Sequence, residues 1–317
     1  PDAALPLPSR DGVMPREGQD GPERPPSLES SGRICRSMPA PDDLDVPLHY
    51  CRDKIGGAGS ALYYSLLFLP PASRTALIAL YALRRELDDI ADECADPGVA
   101  RLKFAWWQEE LANMFQGRAR HPVALLLAPV VRRLALPRDA LHELLRAAEA
   151  RLPPLRYARF DDLLEHARRT GGAVAALVAD ALGGEPATAR TLGTALELAE
   201  LLYDLGLHAR RDRLPLPLED LARFNVPVAD ILRGKENAAF HRLMAFEASR
   251  AETLLRESLQ ALMPGDRRAL LPLRIQARIA LATLAAARRQ GYTVLQQRPT
   301  LMPLRLLWIA WRTKHAD

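Results

Sequence analysis

Four carboxylates crowd the last turns of one helix-patterned segment, Arg84-Arg85-Glu86-Leu87-Asp88-Asp89-Ile90-Ala91-Asp92-Glu93. At about 100° per residue, Asp88 and Asp92 stack one turn apart on a single face, with Asp89 and Glu93 beside them. Asp96-Pro97 cannot continue a helix, so the cluster falls where the helix dipole disfavours negative charge. That placement costs about 0.3–1 kcal/mol per carboxylate before mutual repulsion is added. A divalent cation relieves both, and hard oxygen ligands of this kind suit Mg²⁺ bound together with substrate phosphates. The alternative is a solvated acidic face partly neutralised by Arg84 and Arg85 one turn upstream. A second ridge follows on another helical stretch. There Glu200, Asp204 and His208 share a face at i, i+4 and i+8, trailed by Arg210, Arg211 and Arg213. Alone it is a wet face with a basic C-terminal cap. Facing the first ridge, it would hold Mg²⁺ and a diphosphate between two helices.

The elements that must position these groups are helical. From residue 45 onward Ala, Leu and Arg dominate at helical spacing, and no alternating apolar and polar run is long enough for a strand. Pro70-Pro71 precede a long apolar helix that ends near Cys94, and Asp96-Pro97-Gly98 separate it from a helix carrying Trp106 and Trp107. Further helices are expected at 121–135, 138–151, 160–183, 187–210, 236–263, 268–290 and 303–314. The prediction is a single all-α domain of about ten helices over 45–317, without internal repeats.

Residues 1–44 differ in kind. Nine of the 26 prolines and no aromatic residue fall there, so the segment is expected to be a disordered tail, with Met38 the natural initiator. Hydrophobic residues at 48% and charged residues at 26% place the remainder among folded proteins. No stretch reaches the roughly 18 apolar residues of a membrane span. Cys35, Cys51 and Cys94 match neither a disulfide framework nor a zinc site, which suits a reducing cytoplasm. A net charge of +4 argues against a nucleic-acid partner. The last helix sets Trp308 and Trp311 among Leu and Ile, with Arg305, Arg312 and Lys314 around them. That composition suits peripheral membrane contact through 303–314 at the inner face of the membrane, and packing onto the domain is the alternative.

Ser60-Ala-Leu-Tyr-Tyr-Ser-Leu-Leu-Phe-Leu-Pro70 and the run Ala79–Glu93 resemble the squalene/phytoene synthase family. Asp96–Glu110, Gly291-Tyr-Thr-Val and Leu306-Leu-Trp-Ile-Ala-Trp311 resemble its bacterial presqualene diphosphate synthase branch, of hopanoid pathways. The resemblance covers about residues 47–315. It implies an isoprenoid-synthase-type helical bundle around a central cavity, and Mg²⁺-dependent head-to-head condensation of two farnesyl diphosphates to presqualene diphosphate. It makes Asp88, Asp92 and Asp204 catalytic, and Asp88, Asp89, Asp92 and Glu93 the first metal motif. Arg85, Arg74 and Arg169 become diphosphate contacts.

The chain departs from the family mainly in the second motif. Glu200 stands where Asn is usual, Tyr203 where Arg is usual and His208 where a second Asp is usual. Histidine is a poor Mg²⁺ ligand, so Glu200 joins Asp204 as the candidate second metal pair, and Arg211 is a candidate replacement for the lost arginine. Ala61, Leu62, Leu66, His166 and Ala175 are further departures. Tyr63 and Tyr64 are candidates for the cavity mouth. A catalytically impaired member, binding prenyl diphosphate as an assembly partner, is the alternative function, and a helical scaffold unrelated to isoprenoids a third. No Gly-x-Gly-x-x-Gly loop is present, which favours stopping at the cyclopropyl diphosphate over reduction.

Overall fold

The computed structural model describes residues 44–56, 60–94, 96–152 and 156–316, all within the unit Pro39–Asp317. The stretch expected as a tail, with Met38, lies outside the described residues except for Leu44, the N-cap of α1 (Asp45–Lys54). After α2 (Ala61–Leu66), α3 (Pro71–Glu93) starts with Pro71 in its first turn, where no backbone donor is missed. Cys94 is extended and ends it, as Asp96-Pro97 dictates. Asp96 then caps α4 (Pro97–Phe115), accepting from the amides of Gly98 and Val99 at 2.6 and 3.3 Å. Leu77, Leu80, Leu83 and Leu87 on α3 are all at most 1% exposed. Each contributes roughly 1.5–3 kcal/mol by burial. That stripe fixes the rotation of α3 and so the direction in which Asp88 and Asp92 point.

α5 (Pro122–Leu134) and α6 (Arg138–Glu149) pack against α3. The stretch expected as one helix over 160–183 is α7 (Phe160–Ala167), a π-helical turn (Arg168–Gly172) and α8 (Ala173–Leu182). The π turn lies close against α9 (Pro186–Tyr203), because Gly171 and Gly193 meet there. A Cβ on Gly171 would stand 2.6 Å from Glu197 Cβ and 2.7 Å from the Gly193 carbonyl oxygen. Single π turns recur at functional sites, and this one seats Glu197.

α9 breaks at Asp204, whose non-helical conformation starts the short α10 (Leu205–Ala209). α11 (Leu218–Arg223) and α12 (Val228–Leu232) precede the long α13 (Ala238–Gln260). α14 (Pro264–Ala269), α15 (Leu271–Arg289) and α16 (Pro303–Lys314) complete sixteen α-helices among the described residues. The surplus over ten consists mostly of one- or two-turn pieces. A small parallel sheet was not expected: β1 (Arg156–Tyr157) pairs with β2 (Leu214–Pro217). Leu214-Pro-Leu-Pro offers no alternation and lacks two amide donors, so it reads as loop until its partner is seen.

Candidate active site

Asp88 and Asp92 on α3 face Glu197 and Glu200 on α9 across a cavity of about 110 Å³ open to the centres of water molecules. Arg84, Arg151, Tyr157, His166, Leu201, His208 and Arg213 complete most of its wall. By volume there is room for several waters or one diphosphate group, roughly. The β1–β2 pair brings Tyr157 and Arg213 to this wall from segments far apart in sequence.

Arginines load the first ridge. Arg151 bonds Asp88 and reaches Asp92 Oδ1 with Nη2 at 2.6 Å. Arg213 bonds Asp92 and the Ala91 carbonyl, and Arg211 Nη1 lies 3.5 Å from Asp92 Oδ2. Arg84 donates to Asp88 at 3.3 Å and to Glu197 at 2.6 Å. Burial alone would raise the Asp88 pKa, but Arg151 and Arg84 hold it below the usual carboxylate range. The second ridge is less satisfied. Burial pushes Glu200 up to about 7, opposed by Arg84 and reinforced by Glu197 and Asp204. Burial also depresses His166 and His208 to about 4, so both imidazoles are neutral near pH 7.

The other expected site residues are dispersed. Asp89 lies off the cavity wall, paired with Lys54 at 2.9 Å and Arg85 at 3.0 Å, and Glu93 is exposed. Arg85 is more than half exposed and off the cavity wall. Arg74 caps the end of α2, donating to the carbonyls of Leu66, Leu67 and Leu69 at 2.9–3.1 Å. Arg169 pairs with Glu165 at 2.6 Å and lines a neighbouring cavity that shares Tyr157 and His166 with the first. Tyr64 packs with Ile275, Ile279 and Leu306, and Tyr63 stands edge-on to it; neither lines the acidic cavity. Asp204 is held by Arg298, with Nε–Oδ1 2.5 Å and Nη2–Oδ2 3.0 Å. Arg211 meets Asp92 but is not on the cavity wall.

Three polar wall residues escape sequence reasoning. Glu197 lies one turn before Glu200 on the same face, a spacing that could have extended the ridge. Arg151 and Tyr157 carry no local signal, because only folding brings them to α3.

Helices enclosing a cavity walled by two acidic helices define an isoprenoid-synthase-type all-α fold. The chain belongs to the squalene/phytoene synthase family, whose sequence profile matches residues 55–305. It is 30% identical over 260 residues to a phytoene synthase of Arthrospira platensis, covering 76% of this chain and 84% of that one. A phytoene synthase of Thermus thermophilus is 32% identical over 210 residues, covering 65% and 71%. The solved squalene synthase HpnC of Alicyclobacillus acidocaldarius superposes with a TM-score of 0.68 at 27% identity, over 80% of this chain and 97% of that one. A dehydrosqualene synthase solved with a ligand shares the fold, with a TM-score of 0.76 at 22% identity over 87% and 98%. The family's synthases are transferases that condense prenyl diphosphates head to head.

The family uses a divalent metal, but the side chains here do not fit the expected Mg²⁺. Of the six expected ligands, Asp88 and Asp92 carry guanidinium groups, Asp89 and Glu93 are off the cavity, and Asp204 is tied to Arg298. Of the six, Glu200 alone lines the cavity without an ion pair among the described residues, and a single carboxylate does not hold Mg²⁺. No group of three or more metal-ligating side chains with suitable geometry occurs among the described residues.

Proposed function

We propose that the cavity between α3 and α9 binds the diphosphate of farnesyl diphosphate, and that the protein condenses two such molecules to presqualene diphosphate. The observation that carries this reading is the opposition of Asp88 and Asp92 to Glu197 and Glu200 across one cavity. In this reaction the C1–O bond of one molecule breaks and diphosphate leaves. The double bond of the second attacks that carbon, a proton is lost from it, and the cyclopropane closes. Arg84, Arg151 and Arg213 would stabilise charge growing on the leaving group. His166 and His208 line the wall as neutral imidazoles, and a carbocation is acid enough to protonate either.

The arginine loading of Asp88 and Asp92 favours a second reading, a member that binds prenyl diphosphate without turnover and serves as an assembly partner. Incubating the full chain with farnesyl diphosphate, with and without Mg²⁺, and resolving products by mass separates the two. A thirty-carbon cyclopropyl diphosphate supports condensation. Unchanged substrate under both conditions overturns it.

We further propose peripheral membrane contact through α16. Leu306, Ile309 and Ala310 pack that helix onto α2 and α15, while Leu304, Trp308 and Trp311 stay exposed at 77, 52 and 53%, with Arg305, Arg312 and Lys314 around them. An anionic lipid surface complements that mixture of indole and positive charge. No helix among the described residues is long and apolar enough to cross a membrane.

A further inference from the structure

Around Asp88 and Asp92, four guanidinium groups meet two carboxylates: Arg84 and Arg151 on Asp88, and Arg151, Arg211 and Arg213 on Asp92. Three of the four converge on the single carboxylate of Asp92, whose side chain is only 15% exposed. A carboxylate so loaded is surrounded by surplus positive charge. A divalent cation reaching it would have to displace three covalently tethered cations and would be repelled by all of them. An anion entering the same space would meet N–H donors instead.

The donors are available in number. Each guanidinium carries five N–H groups, and Arg151 spends two of its nitrogens on Asp88 and Asp92. Arg213 spends two on Asp92 and the Ala91 carbonyl, so the end of α3 fixes its position. Arg211 makes the longest contact, at 3.5 Å, and its side chain is one-third exposed, so it turns toward a ligand most easily. Guanidinium groups bind phosphate oxygens in bidentate fashion, as a metal ion would bind them from one point.

We infer that Arg151, Arg211 and Arg213 form an anion site over Asp92 that takes the diphosphate head group directly, with no divalent cation between protein and phosphate. The inference rests on the reading that this cavity holds a prenyl diphosphate and adds how the head group is held. Asp92 then acts as a positioning residue for three arginines, and the chain supplies the charge a metal would bring.

The test is calorimetric titration of the full chain with inorganic pyrophosphate, in EDTA and in Mg²⁺. The expected result is binding in EDTA with a Kd within threefold of the value in Mg²⁺. R211Q should weaken that binding about tenfold while leaving the melting temperature unchanged, because Arg211 is partly exposed. R101Q, an exposed position on α4 away from the cavity, should leave the affinity unchanged. Binding that appears only with Mg²⁺, no binding in either buffer, or an R211Q affinity equal to wild type overturns the inference. The condensation reading fails separately. Product formed in Mg²⁺ alongside metal-dependent pyrophosphate binding removes this inference and spares that reading, while metal-free binding without product does the reverse.

Discussion

Asp92→Asn distinguishes an arginine-loaded carboxylate from a metal ligand by the sign of its effect on stability. A metal ligand in an acidic cluster is under repulsion when no metal is bound. Neutralising it would relieve the helix dipole and stabilise the apoprotein by about 0.3–1 kcal/mol. Here Asp92 instead accepts from Arg151 and Arg213, pairs with Arg211 at 3.5 Å, and is largely buried. Removing one partner of a buried ion pair typically costs about 3–5 kcal/mol. Residual exposure and the remaining Arg151–Asp88 pair favour the lower end, about 3 kcal/mol. At about 2–4 °C per kcal/mol for a domain of this size, the melting temperature should fall by about 6–12 °C. The assay is a thermal melt in EDTA followed by circular dichroism. Added pyrophosphate should raise the melting temperature of the variant at least as much as that of wild type, since Arg211 and Arg213 then lose their carboxylate partner. An unchanged or higher melting temperature for D92N in EDTA would falsify the arginine-loaded description.

Three other outcomes are expected. Gly171→Ala forces a methyl against Glu197 and the Gly193 carbonyl, so it should cost about 1–3 kcal/mol in urea denaturation and lower pyrophosphate affinity; full stability would mean that the π turn is not tightly seated on α9. Glu247, 3% exposed beside Asp220 and Arg250 and with Oε1 unpartnered, is pushed by burial up to about 8. An acid raised this way incurs no penalty below its unfolded value of 4.5, and the penalty grows as pH rises toward 8. Wild type should therefore gain on the order of 4 kcal/mol from this group between pH 8 and pH 5, and E247Q should lose that dependence; parallel pH profiles for the two proteins would contradict it. Replacing Trp308 and Trp311 together by Ala should at least halve co-sedimentation with anionic vesicles, and undiminished pelleting would remove α16 as the contact.

Much of the fold is legible from prolines and periodicity. Pro71, Pro97, Pro186 and Pro303 each sit in the first turn of a helix, although the single helix expected over 187–210 breaks at Asp204. The π turn is not legible, since Arg168-Arg-Thr-Gly-Gly172 continues a helical pattern, and only the close approach of Gly171 to Gly193 makes it necessary. At the site, the opposed acidic ridges follow from spacing on α3 and α9. What covers them does not. Arg151 lies 59 residues from Asp92 and Arg213 lies 121, so the neutralising charges belong to the tertiary structure. The family resemblance also assigns Arg74 to a diphosphate, although its geometry satisfies three carbonyls at the end of α2.

The central claim is that a prenyl diphosphate head group sits between α3 and α9. A crystal structure of the full chain with farnesyl thiodiphosphate, whose C–S bond resists cleavage, tests it most directly. Diphosphate density bounded by Asp88, Asp92, Glu197 and Glu200, within hydrogen-bonding distance of Arg151 and Arg213, is the result expected. Density for the ligand anywhere else, with Arg151 and Arg213 still closed on Asp92, would contradict it.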